Sequence, residues 1–274
     1  MQTVVALARC SHFGPTVAVT AFATLLAVSA GRGLSSLLVA AAVLAGQLSV
    51  GWSNDWIDRS RDRRAGRADK PLVRGDISDH LVIRCAAVSA AACVVLSLLS
   101  GPAAAAAHLV GVALAWGYNL GLKNSVLSPA PYALAFGLLP AFVALGAPSG
   151  AWPPMWAIAA GGLLGAGAHF ANTLPDLDDD AATGVRGLPH RLGPKWSLVA
   201  AGVLLAAGAA AVALGPEGRP GRAAIVALTI SWVLVAGVLA AGMTGRLRLA
   251  FPLMLVTAGT VVAAFLAAGA QLAP

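Results

Sequence analysis

Nine runs of apolar residues, at 15–31, 34–53, 80–100, 103–121, 130–147, 154–174, 195–215, 222–243 and 249–271, take up most of this 274-residue chain. A helix rises about 1.5 Å per residue and a bilayer's hydrocarbon core is about 30 Å thick, so runs of this length suit membrane crossing. They are rich in Ala, Gly, Leu and Val and lack the two-residue alternation of a barrel strand, which leaves helices as the spanning form. Only 11% of residues are charged and 58% are hydrophobic, whereas a soluble domain carries about a quarter charged residues. The expectation is an all-α integral membrane protein of nine transmembrane helices, forming one domain over residues 1–274. Small residues such as Gly161, Gly162, Gly165 and Gly167 allow the close helix approach that membrane packing favours.

Basic residues give the expected orientation. With the N-terminus in the cytoplasm, fifteen fall on that side: Arg9, Arg59, Arg61, Arg63, Arg64, Arg67, Lys70, Arg74, Arg84, Lys123, Arg186, Arg191, Lys195, Arg246 and Arg248. The far side keeps Arg32, Arg219 and Arg222. This asymmetry follows the positive-inside rule and predicts a multi-pass protein of the cell membrane. Anchoring against anionic membrane lipid accounts for the net charge of +7, and no nucleic-acid module accompanies it. The first apolar run is followed at once by others, so it is expected to serve as the first bundle helix rather than a cleaved signal. Cys10, Cys85 and Cys93 are odd in number and lack metal-ligand spacing, which makes them reduced packing residues. No obligate protein partner is evident.

Against this apolar background two acidic runs share one spelling, Asn54-x₃-Asp58-x₃-Asp62 and Asn172-x₃-Asp176-x₃-Asp180. The offset is 118 each time (172 − 54, 176 − 58, 180 − 62), and it also carries Gly66 onto Gly184 and Pro71 onto Pro189. Spacing of four places each triplet on one helical face, where stacked carboxylates repel unless a cation lies among them. Oxygen donors without Cys or paired His suit Mg²⁺, which favours a few carboxylates plus phosphate oxygens of a substrate. On the expected topology both runs face the cytoplasm.

After Asp62 the helix is expected to fail at Gly66 and again before Pro71, and Ser78 to cap the next helix. The basic side chains of this loop can pair with the excess negative charge of a diphosphate. In the second run Asp178 and Asp179 add further acids, Pro175 is expected to kink or re-time the helix, and Arg186 to Arg191 form the basic return.

The stretches NDWIDRSRD and GRADKPLVRGDIS resemble the first aspartate-rich signature, NDxxDxxxD, of the UbiA superfamily of intramembrane prenyltransferases, and Asp176–Asp180 resembles its second, DxxxD. The resemblance implies nine helices around a central cavity, with a cytoplasmic cap from the loops after helices 2 and 6. It also implies Mg²⁺-dependent transfer of a prenyl group from a polyprenyl diphosphate to a lipophilic, commonly aromatic, acceptor, with release of pyrophosphate. Carried over by position, Asn54, Asp55, Asp58 and Asp62 fall on the first metal motif and Asp176 and Asp180 on the second. Tyr118 and Lys123, in YNLGLK, resemble the Tyr and Lys that the family places near the diphosphate. Asp179 stands where many relatives have a small residue.

On this reading Asn54, Asp58 and Asp62 hold one Mg²⁺ and Asp176 and Asp180 another. Lys123, Arg63, Arg67, Arg74 and Arg186 are candidates for the diphosphate oxygens, and Asn172 and His169 are candidates for the acceptor. Aromatic faces such as Trp116, Tyr118 and Tyr132 can shelter an allylic cation, although each also suits an interfacial belt. Other acceptors or cyclisation of the prenyl chain remain open within the family. From another class, a cation transporter also uses intramembrane acids, but these acids lie at helix ends rather than near the bilayer midplane.

Overall fold

The computed structural model describes residues 2–244 and 247–272. Its helices are α1 Gln2–Cys10, α2 Phe13–Ser29, α3 Ser36–Arg64, α4 Pro71–Arg74, α5 Asp79–Leu98, α6 Pro102–Leu120, α7 Pro129–Leu145, α8 Met155–Thr173, α9 Leu177–Ala182, α10 Leu188–Leu214, α11 Arg222–Met243 and α12 Leu247–Ala267. Every apolar run marked in the sequence falls on a long helix. By length and apolar composition six described helices qualify as membrane spans, and α1 with α2, bent by 68°, makes a possible seventh. The 17-residue α7 is shorter, and α8 carries the polar His169 and Asn172. The protein is therefore a helical, multi-pass membrane protein. Arg246 and the side chain of Arg248, counted with the cytoplasmic basic residues, lie outside the described residues.

The helices pack in succession: α2 on α3, α3 on α5 and α6, α6 on α7, α7 on α8, α8 on α10, and α10 on α11 and α12, with α12 returning to α2. Close approach of α7 and α8 depends on glycine. A Cβ at Gly161 would press into the Phe136 carbonyl and one at Gly165 into the Tyr132 carbonyl, so backbones meet where lipid supplies no hydrophobic drive.

The 118-residue repeat has a structural counterpart. α3 ends at Arg64, and Gly66 follows with φ 66; Gly184, just beyond α9, has φ 89. Both occupy the left-handed region that glycine adopts without a Cβ penalty. Pro71 then opens α4 and Pro189 lies in the first turn of α10, where a missing N–H costs no helical bond. Ser78 caps α5 as expected, accepting from Leu81 N at 3.3 Å. Pro175 breaks the second run: α8 stops at Thr173, a 3₁₀ turn covers Leu174–Asp176, and α9 resumes at Leu177.

One element was not anticipated. α1 is separate from α2 because His12 adopts a left-handed conformation, φ 52, between them. His, Asn and Asp are the non-glycine residues most often found there.

Candidate functional site

The two motif helices meet at one cavity. It has a volume of about 260 Å³, and its lining includes Asn54, Gln47 and Val50 of α3, Tyr118, Asn119 and His108 of α6, Tyr132 and Phe136 of α7, and Ala168 and Asn172 of α8. Asn54 and Asn172, equivalent positions of the repeat, thus border the same space. Asn119 holds one of them: it accepts from Asn54 Nδ2 at 3.0 Å while donating its own amide to Val50 O and Ser53 Oγ. Asn54 Oδ1 takes no protein partner among the described residues.

Lys123 lies in the 3₁₀ turn after α6 and is buried. Its Nζ is 2.6 Å from both carboxylate oxygens of Asp58. Arg61, one turn along α3, adds a second cation 2.9 Å from Asp58 Oδ2. Burial pulls the Lys123 ammonium below the usual lysine range, against the opposing pull of Asp58; Asp180 of the second motif attracts it as well. Arg67 is likewise under the influence of Asp62 and Asp176 together, and Tyr118 of Asp180 and Asp58. Asn54 and Asn172, the first members of the two acidic runs, line one cavity.

The remaining motif acids differ. Asp62 is 5% exposed, and its ion-pair contact among the described residues is Arg61 Nε, at 3.9 Å. Asp55 is turned elsewhere: its Oδ1 binds His12 Nε2 at 3.1 Å and Lys70 Nζ at 2.6 Å. That pair fastens α1 and the loop after α3 to the motif helix, assisted by a small apolar cluster of Ala6, Cys10, Leu72, Ile77 and Val82. Asp55 Oδ2 is buried without a hydrogen-bond partner among the described residues. In the second motif Asp176 is exposed and Asp180 half-buried, with His190 Nε2 3.4 Å from Asp180 Oδ2. The side chains of Asp178 and Asp179 lie outside the described residues.

Among the basic candidates, Lys123 is in direct contact with the motif acid Asp58. Arg63 is bound to Asp79 at 2.6 Å and Arg74 to Asp76 at 2.8 Å, both away from the acids. Arg67 pairs with Asp69 at 3.0 and 3.1 Å, which pushes the guanidinium pKa up and the Asp69 carboxyl down. Arg186 is exposed, and its carbonyl accepts from Arg191 Nε. His169 does not border the cavity as an acceptor-binding group would. It is 2% exposed, packed against Tyr132 and Tyr118, and its Nε2 meets Ser128 Oγ at 3.0 Å. Ser128 Oγ in turn accepts from Leu188 N at 3.0 Å, so His169 braces the return loop of the second motif. Arg61, Lys70 and His12 were missed. The i,i+3 spacing of Asp58 and Arg61 was a readable signal; nothing local joins His12 to Asp55.

Mg²⁺ fits these donors on physical grounds. Asp62 is a buried carboxylate with little compensation, Asn54 offers an unengaged amide oxygen, and the donors are hard oxygens. Among the described residues no three His, Cys, Asp or Glu side chains converge to hold a metal by themselves.

A polytopic helical protein in which Asn54 and Asn172, one from each acidic run, line one cavity is thus defined. The chain belongs to the UbiA prenyltransferase family, whose model matches residues 15–243. It is 32% identical over 169 residues to the bacteriochlorophyll synthase 33 kDa chain of Cereibacter sphaeroides, a match taking in 58% of this chain and 56% of the relative. The matched segment thus spans little more than half the length of that curated relative. The structure is similar to the apo form of a UbiA homologue from Aeropyrum pernix K1, with TM-score 0.71, 26% identity, and 92% and 96% of the two chains covered. It also resembles a UbiA homologue from Archaeoglobus fulgidus bound to GPP and Mg²⁺, with TM-score 0.73, 21% identity, and 96% and 98% covered.

Proposed function

We propose that this protein is a Mg²⁺-dependent prenyltransferase that moves a prenyl group from an allylic diphosphate to a lipophilic acceptor and releases pyrophosphate. The observation that carries the reading is the shared cavity of Asn54 and Asn172, with Lys123 in contact with Asp58 and under the pull of Asp180. Family membership and the GPP and Mg²⁺ bound by the Archaeoglobus fulgidus homologue support the donor and the metal. The acceptor's aromatic character remains the family expectation.

Asn54, Asp58 and Asp62 would hold one ion, and Asp176 and Asp180 a second. Bound there, the ions would neutralise charge on the departing diphosphate. Lys123 is the pre-placed protein cation for the same charge, and a donor already in position costs little reorganisation as that charge grows. Arg186 is the loop cation that stays a candidate without such a pairing among the described residues; Arg63, Arg67 and Arg74 would have to leave Asp79, Asp69 and Asp76. Asp55 is reassigned to holding the loop and α1. The apolar walls, with Tyr118, Tyr132 and Phe136, would enclose the isoprenoid and keep water from an allylic cation. Nine crossings, with both acid motifs and a cap of the two motif loops at the cytoplasmic face, complete the reading and agree with the basic-residue asymmetry.

Pyrophosphate release from prenyl diphosphates, with and without Mg²⁺ and with lipid extract as the acceptor source, tests it. Mg²⁺-dependent release is expected. Cation flux into proteoliposomes without any such release would favour a transporter instead.

A further inference from the structure

His108 is a polar group in the apolar part of the cavity, away from the acid motifs. It lies ten residues before Tyr118 on α6, about 15 Å along the axis. Its ring is stacked on Phe142, with centroids 4.4 Å apart and planes 12° from parallel, and Nδ1 meets Ser97 Oγ at 2.7 Å. The Ser97 hydroxyl has one hydrogen, which it donates to Cys93 O at 2.6 Å. With that hydrogen so committed it accepts from His108, which assigns the neutral ring's proton to Nδ1 from the hydrogen-bond network; Cys93 Sγ also lies 3.9 Å from Nδ1. Nε2 is left with a lone pair and no partner among the described residues, beside Gly46 of α3, and His108 is one of the residues lining the cavity. Gln47 of α3 lines the same cavity seven residues before Asn54, about 10 Å along its axis, and its amide makes no hydrogen bond among the described residues.

A hydrocarbon tail offers nothing to such groups. An acceptor on an apolar cavity without a donor is costly, and an ionisable residue inside a membrane segment points to a binding path. We propose that His108 Nε2, oriented by Ser97, is a second recognition point of the cavity, accepting a hydrogen bond from an O–H or N–H group on the lipophilic acceptor. The identity of the occupant rests on the prenyltransferase reading; the hydrogen-bond preference rests on the Ser97–His108 geometry alone. His108 selects the acceptor without touching the diphosphate, and Ser97 is a positioning residue that acts through the imidazole tautomer.

The test is equilibrium binding of 4-dodecylphenol and its methyl ether, which cannot donate, to the full chain in detergent. The wild type is expected to favour the phenol by about tenfold relative to His108→Leu, a comparison between variants that cancels the probes' different micelle partition. His108→Gln, which restores an acceptor oxygen, should regain part of the preference, and Ser97→Ala should lower it severalfold by freeing the tautomer. An equal preference in wild type and His108→Leu overturns the proposal. Should that variant fail to fold, an undiminished preference in Ser97→Ala overturns it. Pyrophosphate release by the wild type is read separately: its absence would sink the prenyltransferase reading and leave the binding result standing.

Discussion

Lys123 Nζ sits 2.6 Å from both carboxylate oxygens of Asp58, and both residues are buried. The ammonium therefore acts as a counter-ion for a carboxylate that the proposed chemistry gives to a metal. Removing Lys123 leaves Asp58 with Arg61 as its remaining cation, so the cost falls below the about 3–5 kcal/mol of a buried pair broken outright. Lys123→Met should lower the melting temperature without Mg²⁺ and show a larger Mg²⁺-induced rise than the wild type. Thermal unfolding across a Mg²⁺ titration checks this; equal Mg²⁺ responses would separate Lys123 from the metal region.

The same burial predicts a pH dependence. The Lys123 pKa is lowered in the folded protein, so the cation needed by a diphosphate is lost as pH rises through that lowered value, earlier than for an exposed lysine. The alkaline limb of kcat/KM reports the free enzyme. It should fall below the ordinary lysine range in the wild type and move upward in Lys123→Arg, whose guanidinium keeps its proton. An unchanged limb in that variant would contradict the assignment.

Asp58→Ala and Asp176→Ala should each lower pyrophosphate release by at least about 100-fold, the scale of losing a charge-stabilising group. Membrane insertion, read by protease accessibility of the loops, should be intact. Near-normal turnover in both variants would remove the metal roles.

Asp55 should behave differently from Asp62. Asp55→Asn weakens the ties to His12 and Lys70, so proteolysis within residues 65–78 should become faster while the Mg²⁺ concentration for half-maximal activity changes little. Asp62→Asn should raise that concentration severalfold. A Mg²⁺ requirement raised equally in both would return Asp55 to the metal set.

Close packing makes a stability prediction. Gly165→Ala drives a methyl into the Tyr132 carbonyl and should cost about 1–3 kcal/mol through overpacking. Denaturation in detergent should show that loss, whereas Gly14→Ala, which meets nothing within 4 Å, should not.

What was legible in the sequence was local. Gly66, Pro71 and Ser78 end, open and cap helices through their own backbone chemistry, and Pro175 interrupts the second run for the same reason. Helical spacing put Asn54, Asp58 and Asp62 on one face of α3, whereas the break at Pro175 divides the second run between two helices. Contacts between distant elements were not legible. His12 reaches Asp55 only because α1 bends at a left-handed residue, and His169 turns to Ser128 because α7 and α8 pack so closely. Arg63 and Arg74 looked available for a diphosphate, yet Asp79 and Asp76 lie nearer to them than the motif acids do.

The most direct measurement is anomalous diffraction from crystals grown with Mn²⁺ and an unreactive prenyl thiolodiphosphate. The account predicts manganese beside Asn54, Asp58 and Asp62 and beside Asp176 and Asp180, with one diphosphate group between the motifs and in contact with Lys123. A diphosphate bound elsewhere, or manganese that touches neither acid ladder, would contradict it.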